Sequence, residues 1–107
     1  ESYPVEAWNA FLAHAAKLRS LQLLEAVRGH MLDDYCRGDV VTFTTLIAVY
    51  AKAQRLEDME LAFAEMQEAE VEPNVMTYNA LMDGYGKAGD IAKLQALQRD
   101  MSEAGGG

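Results

Sequence analysis

The chain holds one cysteine, two prolines and only nine basic residues among 107. Each shortage removes a class of protein. A single cysteine, Cys36, forbids an internal disulfide, and with His14 and His30 it forms no metal-ligand spacing. No metal and no cofactor are therefore expected, and Cys36 is expected to be a small packing residue. No apolar run approaches the ~18 residues that a membrane span requires, so no membrane partner is expected. No leader of the Arg/Ser-rich or apolar kind is present, and Glu1 stands where an initiator methionine would. A chain that begins inside something longer, or one already processed, is the expectation. The basic residues face 17 acidic ones, for a net charge of −8. That balance runs against the basic footprint that phosphate binding usually leaves. No nucleophile–base pair, no convergent carboxylates and no phosphate loop are present, so no enzyme is expected within these residues.

What the sequence does contain is repetition. "VVTFTTLIAVYAKA" at residues 40–53 returns 35 positions later as "VMTYNALMDGYGKA", and "VEAWNAFLAHAAKL" stands 35 positions earlier. The same step relates Trp8, Phe43 and Tyr78, then Phe11, Leu46 and Leu81, then Leu21, Leu56 and Ile91, then Met31, Met66 and Met101. A fixed period of this size marks a stacked array. The units are residues 5–39, 40–74 and 75–107, forming one array over residues 1–107, with the third unit two residues short.

Each unit carries two apolar stripes at helical spacing. Phe43, Leu46, Ile47 and Tyr50 fall at i, i+3, i+4 and i+7, and Leu56, Met59, Phe63 and Met66 follow. Trp8, Phe11, Leu12 and Ala15 match the first stripe, as do Tyr78, Leu81, Met82 and Tyr85. Ile91, Leu94, Leu97 and Met101 match the second. Ser20 and Asp90 can cap a second helix and Gly89 can end a first one, whereas Arg55 is a poor cap. Pro73 closes the second unit. The prediction is all-α, with a helix A and a helix B per unit and no strand. Neither helix buries its stripe alone, so the hairpins must stack. Tyr50 and Tyr85 are expected between neighbouring hairpins, and Glu57, Asp58 and Glu60 on an outer acidic surface.

Opposite the stripe on helix A lie Val41, Thr44, Ala48 and Lys52, matched by Glu6, Asn9, Ala13 and Lys17 and by Met76, Asn79, Asp83 and Lys87. Stacking sets Asn9, Thr44 and Asn79 in one row and three lysines in another. The A helices with their turns carry Lys17, Arg19, Lys52 and Lys87 against Glu6 and Asp83, a net of +2. Seven acidic residues crowd between Glu57 and Glu72. The A side is thus the surface least repulsive to a polyanion.

"VVTFTTLIAVYAKAQRLEDMELAFAEMQEAEVEPN", residues 40–74, resembles a pentatricopeptide repeat. "VMTYNALMDGYGKAGD" resembles one as well, and the first unit does so more faintly. The step of 35 separates the chain from tetratricopeptide repeats, whose period is 34. The resemblance implies a right-handed α-α solenoid that binds single-stranded RNA one base per repeat, in an organellar factor of RNA processing, stability or translation, in a mitochondrion or chloroplast. It further implies that bases are read by Asn9 with Asp39, by Thr44 with Asn74, and by Asn79 with a partner beyond Gly107. In the family's usage the first pair looks like a uracil reader and the second an adenine reader, and Asn79 goes with a pyrimidine. Val41 and Met76 would pack on base faces, and Lys17, Lys52 and Lys87 would approach phosphate. Glu6 departs from this pattern, because a carboxylate against a base repels the neighbouring phosphates. A rival expectation is a structural or protein-interaction scaffold in a large assembly such as an organellar ribosome, with protein partners in place of RNA. The −8 charge and Glu6 speak for it.

Overall fold

A computed structural model describes residues 3–106, with side chains placed for residues 3–103. Six helices follow one another: α1 (Val5–Lys17), α2 (Leu21–Asp33), α3 (Val40–Lys52), α4 (Leu56–Glu68), α5 (Val75–Ala88) and α6 (Ile91–Gly106). No strand occurs among the described residues. The A helices begin at Val5, Val40 and Val75 and the B helices at Leu21, Leu56 and Ile91, so the 35-residue step is kept in space. Each A helix packs on the B helix that follows it. The A helices also pack directly on one another, α1 on α3 and α3 on α5, while α4 touches α5. The result is a stack of hairpins measuring 43 × 29 × 18 Å.

The first stripe forms the core where a hairpin lies on each side. Phe43, Leu46, Ile47 and Tyr50 are buried, as are Tyr78, Leu81 and Tyr85, with Met82 half-buried. Two stripe residues differ from expectation. Phe11 is 45% exposed although its counterparts Leu46 and Leu81 are 2% and 1% exposed. Ile91 is exposed, whereas Leu21 and Leu56 are half-buried. Among the described residues no hairpin packs on these outer faces, and the Phe11 ring meets the rings of Tyr3 and Trp8 edge to face at 5.8 Å. Met59, Met66 and Leu97 of the second stripe are buried, and Leu56, Phe63, Leu94 and Met101 are half-buried. Cys36 is a free thiol, half-buried against the core.

Helix ends repeat as faithfully as the stripes. After each of the first five helices the chain reverses through a Schellman turn, in which two backbone N–H groups return to the last helical carbonyls. Val71 N–H to Met66 O at 3.1 Å and Glu70 N–H to Gln67 O at 3.0 Å form one of them. Such a turn needs one left-handed residue, and these are Arg19, Tyr35, Gln54, Glu70 and Gly89. Only Gly89 adopts that conformation freely; a residue with a Cβ gives up roughly 1–2 kcal/mol there. At the next helix starts, Ser20 and Asp90 accept from Leu23 N–H at 3.0 Å and Lys93 N–H at 3.1 Å, and Arg55 makes no side-chain cap.

Acidic groups on the B helices hold the hairpins together. Tyr50 donates to Glu25 at 3.2 Å, and one unit later Tyr85 donates to Glu60. Burial, with the charge of Glu25 beside it, pushes the Tyr50 hydroxyl up to about 12. Glu60 also receives Lys93 Nζ at 2.8 Å, and hydrogen bonds from Lys93 and then Tyr85 hold its carboxyl below the usual range. Arg28 stacks over Phe43 at 5.3 Å and lies 3.6 Å from Glu65. The expected outer acidic surface is therefore only partly correct. Glu57 is exposed, but Asp58 is half-buried and paired with Arg55 at 2.8 Å, and Glu60 is half-buried as an inter-hairpin acceptor.

The close approach of α5 to the preceding hairpin depends on one glycine. A Cβ on Gly84 would meet Met59 Sδ at 2.5 Å and Ala51 Cβ at 3.1 Å, while nothing lies within 4 Å of a Cβ on Gly86. The Gly84 carbonyl also accepts Gln54 Nε2 at 3.1 Å, tying the end of α3 to α5. Alanine raises helix propensity by about 1 kcal/mol at either site. At Gly84 the overpacking penalty of roughly 1–3 kcal/mol outweighs that gain. Gly86→Ala is expected to raise the melting temperature and Gly84→Ala to lower it, by about 1 kcal/mol in opposite directions, as read from thermal unfolding.

Candidate nucleic-acid interface

The starts of α3 and α5 are built alike. Asp39 and Asn74 are their N-caps, in extended backbone, and each forms a reciprocal capping box with the threonine three residues on. Asp39 Oδ1 accepts the Thr42 N–H at 3.1 Å, and the Asp39 N–H returns to Thr42 Oγ1 at 3.0 Å. Asn74 and Thr77 repeat this at 3.1 and 3.2 Å. The preceding A helix closes each junction. Asn9 Nδ2 donates to Asp39 Oδ1 at 3.0 Å, and Thr42 Oγ1 donates to Asn9 Oδ1 at 2.5 Å. In the next junction Thr44 Oγ1 lies 2.8 Å from Thr77 Oγ1, with either hydroxyl able to donate.

Beside the second junction runs a groove of about 720 Å³ along the A helices. Its walls include Val41, Thr44, Lys52, Asn74, Met76 and Lys87, six of the residues singled out from sequence. Val41 and Met76 are exposed apolar side chains there, and alanines 13, 16, 48 and 53 keep the wall low. Among the described residues, three cations line the groove, Arg19, Lys52 and Lys87, and no acidic residue does. Lys87 lies 3.6 Å from Asp83, a solvent-exposed pair of the kind that contributes at most about 1 kcal/mol. Arg19 and Lys52 form no ion pair among the described residues.

Four expected site residues lie elsewhere. Asn9 is buried in the first junction, with its amide bonded on both sides, because unit one presents an asparagine to Asp39 and Thr42 where unit two presents a shorter threonine. Asp39 is half-buried beneath it. Lys17 and Asn79 are exposed but do not line the groove. The sequence pattern counts Arg19 among the cations of the A side without assigning it to the row of lysines, and it does not single out the two junction threonines. Thr42 and Thr77 carry a usable signal, since each follows an Asp or Asn cap by three residues at the 35-residue step. Arg19 is marked only by the charge balance of the A side, because it sits past the end of helix A in the left-handed turn, off the helical wheel that located the lysines.

A profile described as the PPR repeat family matches residues 38–87, and one described as PPR repeat matches residues 76–106. The chain belongs to the PPR repeat family. No curated protein matches it. PPR modules are helical repeat binders, generally non-enzymatic, and typically bind RNA. The matched segment begins at residue 38, and it is unit one that departs most from the PPR pattern. Glu6, exposed, stands in register with the apolar Val41 and Met76. No helix is long and apolar enough to cross a membrane among the described residues.

The PPR junction at Asp39 has a measurable acid signature. Burial raises the carboxyl pKa, but hydrogen bonds from Asn9, Thr42 and Val41 together outweigh burial and hold it below 3.8. A depressed folded pKa contributes stability above the unfolded value, and that contribution is lost as pH falls through the folded one. Asp39→Ala is expected to lose about 1–2 kcal/mol at neutral pH, the usual cost of an N-cap. The gap to the unaltered protein should narrow as pH drops below 3.8 in denaturant titrations at successive pH values.

Proposed function

We propose that the chain is a single-stranded RNA-binding module of an organellar factor of RNA processing, stability or translation, and that RNA lies in the A-helix groove. The observation that carries this is the charge of that groove: three cations and no acid among the described residues that line it, in a chain of net charge −8. A polyanion meets net positive charge along this wall, where Asp83 is paired with Lys87, and the apolar side chains on it suit base faces better than water. In this reading Thr44 and Asn74 meet the edge of one base, Val41 and Met76 flank its faces, and Arg19, Lys52 and Lys87 approach phosphate, as Lys17 would outside the groove. Asn9 with Asp39 and Asn79 with a later partner are the neighbouring readers. Asn9 would exchange its bond to Asp39 for one to a base. The organellar part of the reading rests on the family, whose members are commonly organellar.

A footprint of two or three bases binds weakly, since stacking contributes only ~1–3 kcal/mol per base. Fluorescence anisotropy with labelled rA8 and rU8 at high protein concentration is the suitable assay. Thr44→Asn combined with Asn74→Asp is expected to move the preference from rA8 towards rU8, by about tenfold for one rearranged polar contact pair. Asp caps a helix as well as Asn, so thermal stability should hardly change. Binding that persists with its preference untouched would contradict base reading by this pair. Absence of RNA binding by the unaltered chain would leave the protein scaffold as the better account.

A further inference from the structure

Among the described residues, the polar side chains with no solvent exposure at all are Thr42 and Thr77, 35 positions apart. Neither touches the groove, yet each contacts both members of a reader pair. Thr77 Oγ1 lies 3.1 Å from Asn74 Oδ1 and 2.8 Å from Thr44 Oγ1, and accepts the Asn74 N–H at 3.2 Å. A capping box alone needs only the threonine backbone and hydroxyl against the cap residue. The additional contact to the preceding helix is what requires explanation.

A hydroxyl has one proton and two lone pairs. Asn74 Oδ1 already accepts the Thr77 N–H, which fixes the amide so that its oxygen faces the helix start. The opposite flip would set the Asn74 NH2 against an N–H donor. The amide therefore offers the groove its Nδ2 hydrogens, for which no acceptor exists among the described residues. When the Thr77 hydroxyl donates to Asn74 Oδ1, its two lone pairs take the Asn74 N–H and the Thr44 hydroxyl proton. Thr44 is then left with lone pairs only. In that arrangement the pair presents one donor group, Asn74 Nδ2, and one acceptor, Thr44 Oγ1, side by side. The complementary base edge is a ring-nitrogen acceptor next to an exocyclic amino group.

We propose that Thr77 is a positioning residue that sets the donor and acceptor polarity of Thr44 and Asn74 towards the groove. Thr42 is its counterpart, holding Asn9 and Asp39 to each other through the 2.5 Å bond to Asn9 Oδ1. The proposal rests on the RNA reading of the groove and adds to it a residue that touches no base.

The test compares Thr77→Val, which keeps the shape and removes the hydroxyl, with Thr77→Ser, which keeps the hydroxyl. NMR three-bond couplings report the Asn74 side-chain rotamer in the free 107-residue chain, and competition anisotropy gives the rA8 to rU8 affinity ratio. The unaltered protein and Thr77→Ser are expected to hold a single Asn74 rotamer and to prefer rA8. Thr77→Val is expected to average the rotamers and reduce the rA8 preference about fivefold, the worth of one neutral hydrogen bond. A merely structural threonine would lower the melting temperature and weaken both RNAs alike, leaving the ratio unchanged; that result overturns the proposal while the RNA reading stands. If the unaltered chain binds neither RNA, the RNA reading falls and the proposal with it. Should Thr77→Val fail to fold, Thr77→Cys, a weaker donor and acceptor of similar size, is read by the same two measurements.

Discussion

Two buried hydroxyls hold the solenoid in register. Thr42 and Thr77 each join three pieces of chain: the helix they start, the cap residue closing the unit before, and the A helix one unit back. Enclosing a hydroxyl costs several kcal/mol unless it is bonded, so the contact forms only when all three pieces are correctly placed. Hydrophobic stripes allow hairpins to slide by a fraction of a turn, because apolar contact has little direction. The threonine junction does not allow it. Sliding α3 along α1 would part Asn9 from Asp39 and Thr42, leaving the buried Asn9 amide without partners.

That constraint also decides where charge can go. The A helices stack directly on one another, and their groove wall is made of alanine, threonine and valine with cations at its rim. Acidic groups are displaced onto the B side, and several of them bond between hairpins there: Glu25 to Tyr50, Glu60 to Tyr85 and Lys93, and Glu65 beside Arg28. Net charge describes such a molecule poorly. Screening at physiological salt acts over about 8 Å, so an anion placed in the groove would respond chiefly to Arg19, Lys52 and Lys87 and only weakly to acids on the far face.

Repetition made the helices legible in the sequence, since the 35-residue step and two stripes per unit located every helix start. Five groove residues were legible for the same reason: a helical wheel puts Val41, Thr44 and Lys52, and Met76 and Lys87 one unit later, on the face opposite the stripe, while Asn74 was marked only by the family resemblance. What escaped the sequence depends on neighbours or on unusual backbone. Phe11 and Ile91 have core identities but stand on outward faces, which no periodicity within a unit reveals. Arg19, Tyr35, Gln54 and Glu70 adopt a conformation that normally announces itself with glycine, and only Gly89 did so. Glu60 reads as one of many surface acids until Lys93 and Tyr85 are brought to it from the next unit. Asn9 resembles Thr44 in register, yet its longer amide reaches across to Asp39 and is drawn inward.

The caps themselves explain how such a scaffold can vary what it meets without altering its fold. Asp39 and Asn74 do the same structural task, each accepting an N–H from the threonine three residues on at 3.1 Å. As N-caps the two residue types are nearly equivalent. As hydrogen-bonding groups they are opposites, because a carboxylate only accepts hydrogen bonds and an amide with its oxygen engaged mainly donates them. Exchanging one for the other therefore changes the chemistry offered to the groove while leaving the helix start intact. Helix A residues such as Leu46 have no such freedom, since their side chains are enclosed on every side by the stack. Variation is tolerated where a residue's structural task uses one atom of its side chain and leaves another facing the groove.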